Sequence, residues 1–143
     1  MRRGTTLPEL VIALVIAGLA LAMVVPAIRT LRDRLSADGA SELVVAAHAR
    51  ARMIAAVEGR VVLLSLWADS IVVDVVESPA DTVTRWRGPG PASHHVSMTG
   101  LPRRIVFGSN GIPLGFANGT YVATRGGAQR QVVVSRYGSV RVF

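Results

Sequence analysis

No side chain from Leu10 to Ile28 is ionisable, and Gly18 and Pro26 are the only residues in the run that disfavour a helix. As a helix this run would reach about 28 Å at about 1.5 Å per residue, close to the roughly 30 Å hydrocarbon core of a bilayer. Beyond it the pattern becomes amphipathic. Ile28, Leu31, Leu35, Leu43, Val44, Ala47, Ala51, Ile54 and Ala55 recur three or four residues apart, or at sums of those spacings. Arg29, Arg32, Asp33, Ser36, Ser41, His48 and Arg52 are expected largely on the other faces, with His48 at the surface or facing a sheet. Gly59 is the expected stop. Gly39 costs about 1 kcal/mol relative to alanine inside a helix, so a break near Asp38-Gly39 would give two helices instead of one. The alanine- and valine-rich stripe from Val44 to Ala55 suits close packing on a sheet.

After Gly59 the period changes to that of strands. Arg60–Trp67 and Ser70–Glu77 are valine- and leucine-rich runs parted by Ala68-Asp69, which predicts a hairpin. Ser78–Thr82 reads as a turn, Thr84–Arg87 as a short strand, and Gly88-Pro89-Gly90-Pro91 as a rigid loop. Further short strands are expected near His95–Met98, Arg104–Phe107, Tyr121–Thr124, Gln131–Ser135 and Val140–Phe143. Asn110-Gly111, Asn118-Gly119, Gly126-Gly127 and Tyr137-Gly138 supply turns. No internal repeat is visible, and the unit is too short and irregular for an immunoglobulin-type sandwich. The expected fold class is α+β, a long N-terminal membrane-spanning helix packed on a small antiparallel β domain.

Composition removes several kinds of chemistry. The chain has no cysteine, which excludes disulfides, thiolate nucleophiles and cysteine-bound metals. His94 and His95 are adjacent, and on a strand they would point to opposite faces, so they are not expected to share a metal. Asp69 and Asp74 have no histidine near them in sequence and read as turn and strand residues. No Walker loop, G-x-S-x-G or H-E-x-x-H occurs. Gly108-Ser-Asn-Gly111 is a turn with no helix pattern behind it. No enzymatic activity, cofactor or metal is expected. The net charge is +7 and all sixteen basic residues are arginine. Beyond Arg2 and Arg3, the other fourteen are scattered from Arg29 to Arg141, which describes a dispersed solvated surface better than the clustered face of a nucleic-acid binder. Arg85-Trp86-Arg87 is a small cationic and aromatic patch that could touch DNA or another anion, although Trp67 and Trp86 also suit sheet packing.

The residue that fits least well is Glu9, a carboxylate at the mouth of the apolar run, where a charge is costly. Three readings of the N-terminus are open. Arg2 and Arg3 with Leu10–Val25 could form a secretory signal, although Glu9 falls where such a segment is basic. A plain single-pass anchor is the second, its orientation left ambiguous by arginines on both sides. The third follows from the run Arg3-Gly4-Thr5-Thr6-Leu7-Pro8-Glu9-Leu10, which resembles the class III leader of type IV pilins and type II secretion pseudopilins. That resemblance implies cleavage between Gly4 and Thr5 by a prepilin peptidase and methylation of the new N-terminus at Thr5. It also implies assembly through Glu9. The family more often has phenylalanine where Thr5 stands and an aliphatic residue where Pro8 stands. A new amine at Thr5 would pair with Glu9 of a neighbouring subunit in low dielectric and set axial register.

A second resemblance lies near the C-terminus. Arg104-Ile-Val-Phe107, Gly108-Ser-Asn-Gly111, Gly115, Val132-Val-Val-Ser135, Tyr137-Gly138 and Val140-Arg-Val142 are similar to the C-terminal domain of the GspH/FimT family of minor pseudopilins and minor pilins. The two resemblances together imply a leader at 1–4, a membrane half of the helix at 5–28, an amphipathic half at 29–59 and a periplasmic β domain at 60–143. They imply an inner-membrane subunit of a type II secretion system or type IV pilus, with other pilins or pseudopilins and a secreted cargo as partners. Some members bind DNA for natural transformation through an arginine pair after the terminal glycine. Here Ser139 follows Gly138 and only Arg141 matches, so Arg136, Arg141, Arg85 and Arg87 are the candidate DNA contacts of that rival reading. A simple membrane-anchored periplasmic domain is the third.

Overall fold

The first element, α1 (Leu7–Glu58), runs through Pro26 and through Asp38-Gly39 without a break, in a computed structural model that describes residues 6–115 and 117–143. Gly4 and Thr5 lie outside the described residues. The chain divides into two compact units at Arg32/Asp33. In the first, every described side chain is exposed.

In the second unit, α1 buries Ala37, Ala40, Ser41, Val44, Ala47, His48, Ala51 and Ala55. These recur at helical spacing, and five of the eight are alanine, so the helix backbone lies close to what it covers. The buried face differs from the expected stripe. Leu31 and Leu35 are exposed, while Ser41 and His48 are buried. Geometry explains the difference at Leu35: two residues from Ala37 is a rotation of about 200°, so the two cannot share a face. Gly39 has a packing reason for being glycine. A Cβ there would stand 2.9 Å from Cε1 of the His94 ring.

The strands are β1 (Val62–Leu66), β2 (Ser70–Ser78), β3 (Asp81–Pro89), β4 (Ser97–Thr99), β5 (Arg103–Phe107), β6 (Pro113–Leu114), β7 (Gly119–Arg125), β8 (Ala128–Val134) and β9 (Val140–Val142). They form two sheets, ordered β3-β2-β1-β5-β6 and β4-β7-β8-β9, with antiparallel pairing throughout. At the centre of the first sheet Leu64 is opposite Val73 on one side and Ile105 on the other. One core joins Val44, Ala47, Ala51 and Ala55 of the helix to side chains of both sheets, among them Leu64, Val73, Phe107, Tyr121 and Val132. Alternation along the strands brings these residues to one face.

The segment from Ser78 to Met98 departs from expectation. β3 is nine residues long, and Gly88 and Pro89 belong to it. Proline is tolerated there because β3 is an edge strand. Pro91 then opens a 3-10 helix, Pro91–His94, and His95 has φ 55°, so the histidine pair is not on a strand. Gly90 lies against the β1–β2 turn, where a Cβ would meet the Ala68 carbonyl oxygen and the Ser70 nitrogen at 2.5 Å. The Gly90 and Ala92 N–H groups donate to the carbonyls of Asp69 and Ala68, both at 2.8 Å. Arg125 on β7 ties this corner to the helix. It donates to Ser36 Oγ and the His94 carbonyl at 2.7 Å each and pairs with Asp33 at 3.2 Å.

Candidate assembly site and the charged surface

Thr6 precedes the first residue of α1, and its carbonyl accepts the first helical bond, from the Leu10 N–H at 3.2 Å. That makes Thr6 the N-cap. Glu9 reaches back to it, its Oε2 accepting the Thr6 N–H at 2.9 Å and the Thr6 hydroxyl at 3.1 Å. This is the reciprocal half of a capping box, and it satisfies one donor that the helix start would leave unpaired. Pro8 sits in the first turn, where its missing N–H costs little. Thr6-x-x-Glu9 is the sequence signature of such a box, independent of the charge of Glu9. The side chains from Leu10 to Ile28 are all exposed, and among the described residues α1 is the helix long and apolar enough to cross a membrane.

The four arginines considered as anion contacts are not brought together. Arg85 and Arg87 are on β3 of the first sheet; Arg136 is in the turn after β8 and Arg141 is on β9 of the second. Arg85 falls at a bulge, where β3 places Trp86 opposite Val73 and Thr84 opposite Asp74. A bulge re-aims a side chain. Arg85 Nε and Nη2 donate to the two carboxylate oxygens of Glu58, at 3.0 and 3.2 Å, and Glu77 is 3.6 Å away. The Trp86 ring is covered by the Arg50 guanidinium, 4.5 Å from its centroid. Two members of the cationic-aromatic patch therefore fasten β3 to the helix. Arg87, Arg136 and Arg141 remain exposed. Among the described residues no cluster of histidine, aspartate and glutamate is arranged to hold a metal.

His48 takes the sheet-facing of its two expected placements and lies in the core, at 2% exposure. Its Nδ1 is 2.8 Å from the Val44 carbonyl oxygen, so Nδ1 carries the proton and donates. The ring lies edge-on to Phe107 and Tyr121, with centroids 6.4 and 6.1 Å apart. Burial pushes the His48 pKa below its ordinary 6.5; the Val44 bond opposes this and the Arg103 charge adds to it. Burial likewise pushes the Tyr121 hydroxyl up to about 12, against the Arg103 charge. Because the folded His48 is the weaker base, the unfolded chain takes up the proton first. The stability that neutral His48 allows is complete above pH 6.5 and declines as pH falls through that value towards the lower folded pKa. Urea midpoints measured between about pH 5 and pH 8 should show this slope, and His48→Met should reduce it.

Comparison with known proteins agrees with this architecture. The family model described as type II transport protein GspH matches residues 40–138. Two crystal structures of the type IV minor pilin FimU from Pseudomonas aeruginosa strain PAO1 are similar. The one in space group P21 has 16% identity and a TM-score of 0.63, covering 79% of this chain and 92% of that one. The one in space group P65 has 16% identity and a TM-score of 0.59, covering 74% and 91%. At such identity the likeness is one of fold, a long N-terminal helix packed against antiparallel sheets. No curated protein matches the chain significantly. The family match takes in the buried helix face from Ala40 onward and the strands β1 to β8, and on it the chain belongs to the GspH family.

Proposed function

We propose that this member of the minor pilin and pseudopilin family is made as a prepilin, cut between Gly4 and Thr5, methylated at Thr5, and assembled through its N-terminal helix. It is a structural subunit rather than an enzyme. The observation that carries the reading is the apolar, fully exposed run Leu10–Ile28 with a single carboxylate, Glu9, at its head. Exposed apolar surface of that length needs lipid or neighbouring helices to cover it. A carboxylate retained at its mouth needs a charge partner, and cleavage after Gly4 would create one, the α-amino group of Thr5. The β domain then lies on the periplasmic side of the inner membrane, where it meets other subunits and any cargo.

Mass spectrometry of the membrane-extracted chain tests this directly. The expected N-terminus is Thr5, carrying one added methyl group. An intact Met1, or a cut near Ala22–Ala27, would overturn the reading.

A further inference from the structure

β9 ends the second sheet, and its outer side has no strand beside it among the described residues. Gln131 and Phe143 exchange both main-chain hydrogen bonds, at 3.0 and 2.8 Å. Antiparallel pairing repeats this arrangement every second residue, so Arg141 faces Val133 in the same way. The N–H and C=O groups of Val140 and Val142 consequently turn away from β8.

Val140 and Val142 each line a hollow against α1. The one beside Val140 is about 490 Å³, with Val45, Ala49, Met53 and Ala56 on its helix wall. Beside Val142 lies a second hollow of about 470 Å³, which Leu35 and Glu42 help to line. These helix residues sit three, four or seven positions apart and form one face. It is largely uncovered, with Leu35 62% and Met53 58% exposed.

The other sheet edges carry devices that discourage pairing. β3 has a bulge, two arginines and Pro89; β6 opens with Pro113 and has two residues; β4 is the short polar run Ser-Met-Thr. β9, Val-Arg-Val, is also short and carries one arginine, but it has neither bulge nor proline; its valines share a face with the buried Val132 and Val134, Val142 remaining 44% exposed.

We propose that the free edge of β9 accepts an extended strand from a different subunit of the same assembly. Unpaired main-chain donors and acceptors in a row call for a main-chain partner, and the hollows beside β9 take its alternate side chains. Charge defines the partner further. Glu42 stands at the Val142 end and Arg52 at the Val140 end, and neither forms an ion pair among the described residues. The incoming strand carries apolar residues facing the helix, a basic group towards Val142 and an acidic one towards Val140. A second copy of β9 fits poorly, since an antiparallel self-pair centred on Arg141 sets like charges opposite each other. That the donor is a fellow subunit rests on the proposed function; the open edge does not.

Hydrogen exchange resolved at single residues tests the inference, on the full chain extracted alone and on the chain in its native assembly. The Val140 and Val142 amides are expected to exchange at least about tenfold more slowly in the assembly, while Arg141 and Phe143 are protected in both. Val142→Pro removes an N–H that β8 does not use. It is expected to leave the thermal midpoint unchanged and to lower recovery of assembled chain about tenfold, whereas Val142→Thr behaves as wild type. Equal exchange of Val140 and Val142 in an assembled chain whose N-terminus is Thr5 overturns the strand proposal and leaves the processing reading intact. Protection that appears in the isolated chain as its concentration rises indicates self-pairing and overturns it as well. A chain that enters no assembly overturns both.

Discussion

Glu9→Gln is expected to insert into the membrane as the wild type does and to enter filaments about tenfold less, or worse. Glutamine keeps an oxygen that can accept the Thr6 N–H, so the helix cap survives and the loss reads the charge alone. Glu9→Ala removes the bond back to Thr6 as well, and cannot separate the two roles. The magnitude follows from the environment. In the assembly proposed above Glu9 would be paired out of water, and removing one partner of such a pair strands the remaining charge. About 1.4 kcal/mol already accounts for a tenfold change. Quantifying the variant in purified membranes and in sheared filaments checks the two halves separately. Wild-type incorporation of Glu9→Gln would rule out the pairing and leave Glu9 as the capping-box partner of Thr6.

The second large effect is expected at Phe107. It is 1% exposed and lies opposite Val62 on β1 and Pro113 on β6, with its ring against His48. Phe107→Ala deletes the ring at the meeting point of helix and sheet, where rigid neighbours cannot collapse into the space. Comparable deletions cost about 3–5 kcal/mol. Against a typical total of about 5–15 kcal/mol, that is a loss large enough to unfold much of the population at 37 °C. Urea unfolding of a chain beginning at Asp33, which holds this core within one compact unit, measures it. A shift below about 1 kcal/mol would mean the core is less tightly packed there than the geometry implies.

Much of this organisation was legible in the chain because it rests on local signals. The β1–β2 hairpin follows from two valine-rich runs around Ala68-Asp69, and it appears where expected. The family was legible from the N-terminal run and from the glycine and valine pattern after Arg104, and the match over residues 40–138 agrees. What local pattern could not supply was tertiary choice. Leu35 and Ala37 each suit an apolar stripe, and close approach to the sheet selected the alanine. Ser41 and His48 look polar, yet the Ser41 hydroxyl and His48 Nδ1 donate within the helix, to the carbonyls of Ala37 and Val44 at 2.8 Å, which offsets much of their burial, while His48 Nε2 is buried without a hydrogen-bond partner. Arg85 belonged to a cationic patch in sequence, and the bulge in β3 turned it to Glu58 instead. Glu9 stands out in the sequence by its charge, while its bond to Thr6 follows from the capping-box spacing of the two residues.

The alanine face of α1 also has a mechanical side. Between Ala37 and Ala55 the helix is held by shallow contacts along its length rather than by a few deep anchors. Arginine clasps flank this stretch, Arg125 on Ser36 and Asp33 towards one end and Arg85 on Glu58 at the other. A pull along the helix axis loads all of these contacts at once, in shear, so none yields before its neighbours. A pull across the axis would peel them off one turn at a time. Such a joint is strong along the helix axis and weak across it.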